Sequence, residues 1–564
     1  MTVNGKATEQ NTYDAIVVGS GISGGWASKE LTEKGLKVLM LDRGWELKHG
    51  QYETAMKHPW EFKYAGRITQ KQREEHPFLS RDYPYNEFNA HYWFKDTDSP
   101  YKEEQRFDWF RPDIVGGKSI MWGRQSYRFG DLDFEANLKD GIAVDWPIRY
   151  KELAPWYDYV EKFAGISGEN LGLEHLPDGQ FLPPMELNCL EKEVKKGIEA
   201  NFKGRHLTIG RVANLTVAHK GRATCQYRNL CNRGCPYGAY FSTQASTLPA
   251  AVATGNLTLR PNSIVSTVIY DEKSGKATGV KIIDADTNEE IEYNAKIIFL
   301  NASTLGTTSI LMNSTSERFP EGLGNSSGQL GKNLMDHHFR VGASGEYDGF
   351  QDKYYSGRRA NGIYIPRFAN IGDDKRDYLR GYGYQGSASR ENWQRGVAEL
   401  GFGADFKESL IEPGGWRMGM TGFGECLPYE ENKVTLNREV LDKWGLPTLT
   451  IDCGFKENEQ MMRKDMMNDA AEMLEAAGLK NVQTYDNGSF PGMAIHEMGT
   501  ARMGRDPKTS VLNGFNQMHD VPNVFVTDGA CMTSAACQNP SLTYMALTAR
   551  ACDYAVNELK KRNI

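Results

Sequence analysis

The chain opens on unbroken apolar runs, not on alternating ones. Asp14-Ala15-Ile16-Val17-Val18 is short and β-branched, which predicts a strand buried on both faces. Gly19-Ser20-Gly21-Ile22-Ser23-Gly24 follows, and Ile22 to Lys34 reads as a helix opening straight from the glycines. Lys37-Val38-Leu39-Met40-Leu41 is a second such run and ends at Asp42. Gly44 to Arg111 is polar and aromatic without a clear period, a long excursion of the kind seen in lids, taken as an insertion over about 45–112. Val115 to Gly123 is glycine-rich, and Asp145-Trp146-Pro147-Ile148 leads into a helix. Leu257 to Asn301 alternates strands with turns at Glu272 to Gly275 and Ala285 to Asn288, a β-meander. Gln460 to Gly478 has helical spacing and stops on a glycine. Repeats, heptads and low-complexity linkers are absent, and the best boundaries fall near His338 and Asn487.

Strand, glycine turn, helix and strand make a βαβ unit of an α/β fold. Gly19 permits the tight turn, Gly21 lets backbone approach a phosphate, and Gly24 lets helix and strand pack closely. The helix N-terminus then faces the anion. Asp42, eighteen positions beyond Gly24, is placed to accept hydrogen bonds from a ribose.

Bulk properties narrow the choice. At 564 residues more than one domain is expected. A net charge of -7 offers no basic stripe for nucleic acid and no polybasic membrane patch. No apolar run reaches the roughly 18 residues that span a bilayer. Met1 to Thr12 is polar and lacks an apolar signal core, so no export signal of the chain's own is expected. Nine cysteines are an odd and modest number, which argues against a disulfide framework. Aromatic residues make up 11%, enough to stack sugar rings, although core packing is the default for most of them.

Near the C-terminus stand His496-Glu497-Met498-Gly499-Thr500 and Asn539-Pro540-Ser541-Leu542-Thr543. A histidine titrating near neutrality can take a hydroxyl proton, and an amide can orient the same oxygen without competing for that proton. With the Gly19 block, Gly116-Gly117-x-Ser119-x-x-Trp122-Gly123, Asp145 to Ile148, Gly331 to His337, Leu427 to Leu436 and Val526-x-Asp528-Gly529, these motifs run nearly the full chain. In that order and spacing they resemble the glucose-methanol-choline (GMC) family of flavin oxidoreductases.

The resemblance implies a Rossmann-like FAD-binding domain over 12–337, with a cysteine loop at 222–240. A discontinuous α+β substrate-binding domain would span 338–487, and 488–564 would return to the FAD-binding domain with the reactive pair. It implies His496 as base and Asn539 as its partner at the substrate oxygen. Asp528 and Gly529 would contact the flavin nucleotide near the pyrophosphate and ribityl chain. Thr543 lies in the segment whose backbone reaches the ring, with Gly117 and Ser119 beside the ring from the other side and Val265 at the adenine. Relatives that tether FAD use a histidine where this chain has Lys118 to Trp122, so noncovalent FAD is expected.

Cys225, Cys231 and Cys235, spaced six and four apart with Pro236 following, could converge on a metal. The spacing resembles FAD-dependent glucose dehydrogenases of the family, which implies a three-iron (3Fe-4S) cluster on these three thiols. Gln226 stands where that motif has an extra cysteine, against a four-cysteine cluster. A metal-free loop, as in other members, is the alternative, and zinc lacks a fourth ligand.

The segment expected to bind substrate is polar and aromatic at Asp352-Lys353-Tyr354-Tyr355 and Gly414-Gly415-Trp416-Arg417, which suits a polyol better than a sterol. The pattern is most similar to bacterial sugar dehydrogenases, among them glucoside 3-dehydrogenase and gluconate 2-dehydrogenase flavoprotein subunits. That implies oxidation of a secondary sugar hydroxyl, C3 of a glucoside first, with electrons passed to an acceptor other than oxygen. Such enzymes work with a small companion subunit and a cytochrome c, and the companion can carry the export signal, which leaves the address open. A pyranose-type oxidase using oxygen, and a flavin electron-transfer subunit without alcohol oxidation, are the alternatives.

Overall fold

The structure is a computed structural model, and it describes residues 11–64, 66–353, 360–392, 401–411 and 413–564. Tyr354 and Tyr355, and Met1 to Gln10 of the N-terminal stretch, lie outside the described residues. None of the described helices is long and apolar enough to cross a membrane.

Strand β1 (Thr12–Val18), helix α1 (Ile22–Glu33) and strand β2 (Val38–Leu41) form where the apolar runs place them. β1 pairs in parallel with β2 on one side and with Glu290–Leu300 on the other. Val18 lies opposite both Leu41 and Leu300, and Val526 of the short strand Val524–Val526 also pairs with Leu300. Four carboxyl ends therefore stop at one edge, where the connections diverge and a cleft opens, as doubly wound sheets do at their switch point. One apolar face of the sheet, with Ala15, Val17, Val38, Ile297 and Phe299, is covered by α1 and by the C-terminal helix Ser541–Lys560, which also packs on Tyr150–Ala164.

The expected meander is three strands, Ser263–Asp271, Lys276–Asp284 and Glu290–Leu300, joined by antiparallel pairing. Leu257–Arg260 is not part of it. That strand extends the parallel edge beside β2, because a connection through Thr247–Ala253 returns it in the same direction.

A second sheet of six antiparallel strands runs in the order Lys480–Asp486, His338–Tyr347, Trp416–Gly424, Tyr382–Arg390, Ile363–Ile365 and Thr208–Ile209. It thus draws a strand from well before His338. Side chains alternate across it with the strand period of two. Trp416, Met418 and Met420 face Glu457–Ala476, with Met462 and Met466 packed among them. The opposite set turns to the cleft, including Thr421, Phe423 and Gln385. The long helix begins at Glu457, earlier than Gln460, since Glu459 reaches back to the Lys456 N–H at 2.8 Å.

The excursion is largely irregular, with one short α-helix, Gln70–Glu75, and three 3₁₀ turns among its described residues. Its own apolar cluster includes Leu79, Tyr92, Trp93 and Phe110. Lys102–Glu103 ties it to the strand Pro447–Asp452.

Candidate active site

A single cleft of about 1130 Å³ runs from the glycine turn, under the excursion, to the second sheet. Gly19, Gly21, Asp42, Gly117, Ser119, Val265, Asp528, Gly529, His496 and Asn539 all line it, so the structure brings ten of the residues singled out in the sequence into one space.

Gly19 has φ +92, and a Cβ there would lie 2.2 Å from the Asn301 carbonyl oxygen. A Cβ on Gly24 would come within 1.8 Å of the Gly19 carbonyl oxygen, so α1 sits hard against the turn. Gly21 meets nothing within 4 Å, and it precedes α1 without a capping side chain. Unsatisfied helix N–H groups beside open space fit a diphosphate. Arg43, Asn301 and Tyr544 also line the cleft, and Arg43 Nε and Nη2, Asn301 Nδ2 and Tyr544 Oη have no hydrogen-bond partner among the described residues. Orphaned donors of this kind call for a polar ligand.

Asp42 sits at the end of β2, but its carboxylate is already engaged. It accepts from the Ser20 N–H at 2.9 Å, the Ser20 hydroxyl, and the Gly44 N–H at 2.8 Å. It therefore holds the glycine turn to β2, with burial raising its pKa. Ser119 Oγ accepts the Thr243 N–H at 3.1 Å. Val265 lies at a break in strand register between Val265 and Thr267. The Asp528 carboxylate accepts from Thr307 Oγ1 at 2.6 Å and the Ala530 N–H at 3.0 Å, and burial lifts its pKa to about 6. Thr543 is fully buried with its hydroxyl 2.7 Å from Tyr157 Oη, and its neighbours Ser541 and Tyr544 reach the cleft instead.

His496 is held by contacts that sequence inspection passed over. Its Nδ1 lies 2.8 Å from His337 Nδ1, and its Nε2 lies 3.3 Å from Asn539 Nδ2. His337 is fully buried, and its Nε2 faces the Ala536 carbonyl at 2.8 Å. Burial pushes the His337 pKa down to about 4, so the ring is neutral at pH 7. A neutral ring that donates from Nε2 to a carbonyl must accept at Nδ1. His496 then donates from Nδ1 and leaves Nε2 unprotonated inside the cleft, its lone pair facing the Asn539 amide. Burial first, then His337 and Lys118, hold the His496 pKa well below the ordinary histidine range.

The backbone is strained at the same place. Ile495, directly before the base, has φ +65, which is costly for a β-branched residue. The Asp336 carboxylate clamps both sides of it, accepting the Ala494 N–H at 3.1 Å and the His496 N–H at 3.0 Å. Glu497 takes Lys118 Nζ at 2.7 and 2.9 Å, locking the Gly117 turn to the His496 loop.

Cys225, Cys231 and Cys235 are free thiols, and the first two border the cleft. Among the described residues no group of three His, Cys, Asp or Glu is arranged to hold a metal ion.

The chain matches the GMC oxidoreductase family over residues 13–339 with its N-terminal part and 428–548 with its C-terminal part. It belongs to that family. It is an FAD-dependent oxidoreductase of α/β fold. Among curated relatives it is 31% identical to 2-methyl-1,2-propanediol dehydrogenase of Mycolicibacterium austroafricanum, over 97% of this chain and 96% of that one. It is 24% identical to the fructose dehydrogenase large subunit of Gluconobacter japonicus, over 98% and 100%. Among solved structures, pyridoxine 4-oxidase from Mesorbium loti superposes with a TM-score of 0.60 at 16% identity, covering 96% of this chain and 99% of that one. That last likeness concerns the fold alone.

Proposed function

We propose that this GMC oxidoreductase oxidises a hydroxyl of a sugar or related polyol, a secondary ring hydroxyl first, to the corresponding carbonyl. The observation that carries this reading is the unprotonated Nε2 of His496 beside the Asn539 amide, both facing the cleft. His496 takes the substrate hydroxyl proton at Nε2. Asn539 Nδ2 has a second hydrogen free to donate to the same oxygen, which fixes how the C–H bond points. Bound FAD supplies the acceptor for the hydride that leaves carbon. The Gly19–Gly24 turn, Asp528, Gly529, Gly117 and Ser119 would hold that cofactor. Noncovalent binding is expected because no histidine lies within Lys118–Trp122.

The wall opposite the base favours a polyol. Gln125, Asn361 and Thr421 line it with polar side chains, and Phe339 and Phe423 stack at 5.1 Å beside them. The choice of C3 of a glucoside rests on the sequence pattern. An acceptor other than oxygen, a small companion subunit and a cytochrome c belong to the same reading. Both curated relatives described above are named dehydrogenases, and one is named a large subunit.

The test is anaerobic bleaching of the flavin by a panel of sugars, glycosides and diols, with the product position read by NMR. The His496→Ala variant should retain FAD and lose ~100-fold or more in reduction rate. Bleaching by no member of the panel, or unchanged reduction in His496→Ala, refutes the reading. Peroxide formed as fast as a quinone is reduced refutes the choice of acceptor.

A further inference from the structure

The Asn539 amide has two faces of nearly equal shape and opposite polarity, and only one of them serves the base. What sets its direction is a chain of hydrogen bonds running into the second sheet. Asn539 Oδ1 accepts from Gln385 Nε2 at 2.8 Å. Gln125 Nε2 donates to Gln385 Oε1 at 2.9 Å and to Asn361 Oδ1 at 2.7 Å. Gln125 Oε1 accepts the Tyr127 hydroxyl at 2.5 Å, and Tyr127 is stacked on Tyr364 with centroids 3.9 Å apart. Asn361 Oδ1 is pinned as an acceptor by the Gly362 N–H at 2.8 Å.

The polarity of this chain follows from one carbonyl. The Ala536 oxygen can only accept, so His337 donates from Nε2, His496 donates from Nδ1, and Asn539 must turn its NH₂ to His496 Nε2. Asn539 then offers its oxygen to the sheet, where only a donor satisfies it. Gln385 is that donor.

We propose that Gln385 is a positioning residue of the reaction, holding Asn539 with its NH₂ toward His496 and the substrate oxygen. The proposal rests on the reading of His496 as base. It differs from a grip on substrate, because Gln385 acts through Asn539 and not on the sugar. Gln385→Leu removes the donor. Gln385→Glu keeps size and reach but places an ionised, acceptor-only group against Asn539 Oδ1, so the amide must turn over and aim its oxygen at the His496 lone pair.

The test uses the FAD-loaded enzyme. Both variants should retain FAD and bind the reducing sugar with little change in Kd, while the flavin reduction rate at saturating sugar falls ~100-fold, the scale of a misplaced reacting group. Gln385→Glu, close to wild type in volume, should fall as far as Gln385→Leu, which separates polarity from packing and serves if Gln385→Leu does not fold. A second readout needs no substrate. In ¹⁵N spectra of histidine-labelled enzyme, with His496 assigned by its loss in His496→Ala, the wild type should show protonation at Nδ1 only, and the variants partial protonation at Nε2. A His496 spectrum unchanged in both variants overturns the proposal. So does weaker sugar binding with an unchanged saturating rate. If no alcohol reduces the wild-type flavin, the proposed function fails by itself and the spectra alone decide the role of Gln385.

Discussion

The base is built from contacts that are each costly alone. Ile495 holds a left-handed backbone, His337 is a fully buried ring, and Asp336 is a buried carboxyl whose pKa burial, with Glu497 beside it, pushes up to about 8. Together they aim one lone pair. A consequence is the pH range. Only neutral His496 can accept a proton, so reduction is lost as pH falls through its pKa, and burial with His337 and Lys118 places that pKa well below the ordinary 6.5. Stopped-flow reduction should therefore stay level from neutrality to well below pH 6.5. An acid limb centred at or above the ordinary histidine value would contradict the burial-driven shift.

At the scale of elements, the glycine turn separates two roles that the motif alone blends. A Gly24→Ala side chain would collide with backbone, so α1 must move off β1 at a cost of about 1–3 kcal/mol with or without cofactor. A Gly21→Ala side chain meets open space, so the cofactor-free melting temperature should hold while FAD affinity drops. Melting curves and FAD titrations of the two variants should diverge in that sense, and parallel behaviour would argue against a phosphate at Gly21. The βαβ unit was legible in the sequence because its signals are local: two apolar runs, three glycines and a terminal acid. His496 and Asn539 were legible through motifs at a known spacing. His337, Gln125 and Gln385 were not. His337 was visible in its motif but carried no role, and the two glutamines act across separations of 154 and 260 positions, where no local period points from one to the other. The strand Leu257–Arg260 was misjoined for a related reason, since turn residues announce a reversal but not which edge the next strand takes.

At the scale of the molecule, the cleft lies between the two sheets and is bordered by unpaired polar groups, so its occupant should contribute to stability. A ligand bound only by the folded state adds about 2.7 kcal/mol at a hundredfold excess over Kd. The deflavinated enzyme should melt several degrees lower and recover with added FAD in a concentration-dependent way. A melting temperature indifferent to FAD would deny the cofactor this cleft.

The strand Glu290–Leu300 shares one edge between two partners, Lys276–Asp284 along its first half and Val524–Val526 at its end. The nucleotide sheet is thus closed by residues made almost last, and Ser23 Oγ reaches the Thr527 carbonyl across 504 positions at 3.1 Å. On a ribosome adding about 5–20 residues per second, the end of Glu290–Leu300 waits from roughly ten seconds to three-quarters of a minute for that strand. During that time the apolar end of Glu290–Leu300 is an open edge, and Asn539 has not been synthesised. A truncated or stalled product therefore has no partial activity to offer, only an exposed strand for chaperones to cover.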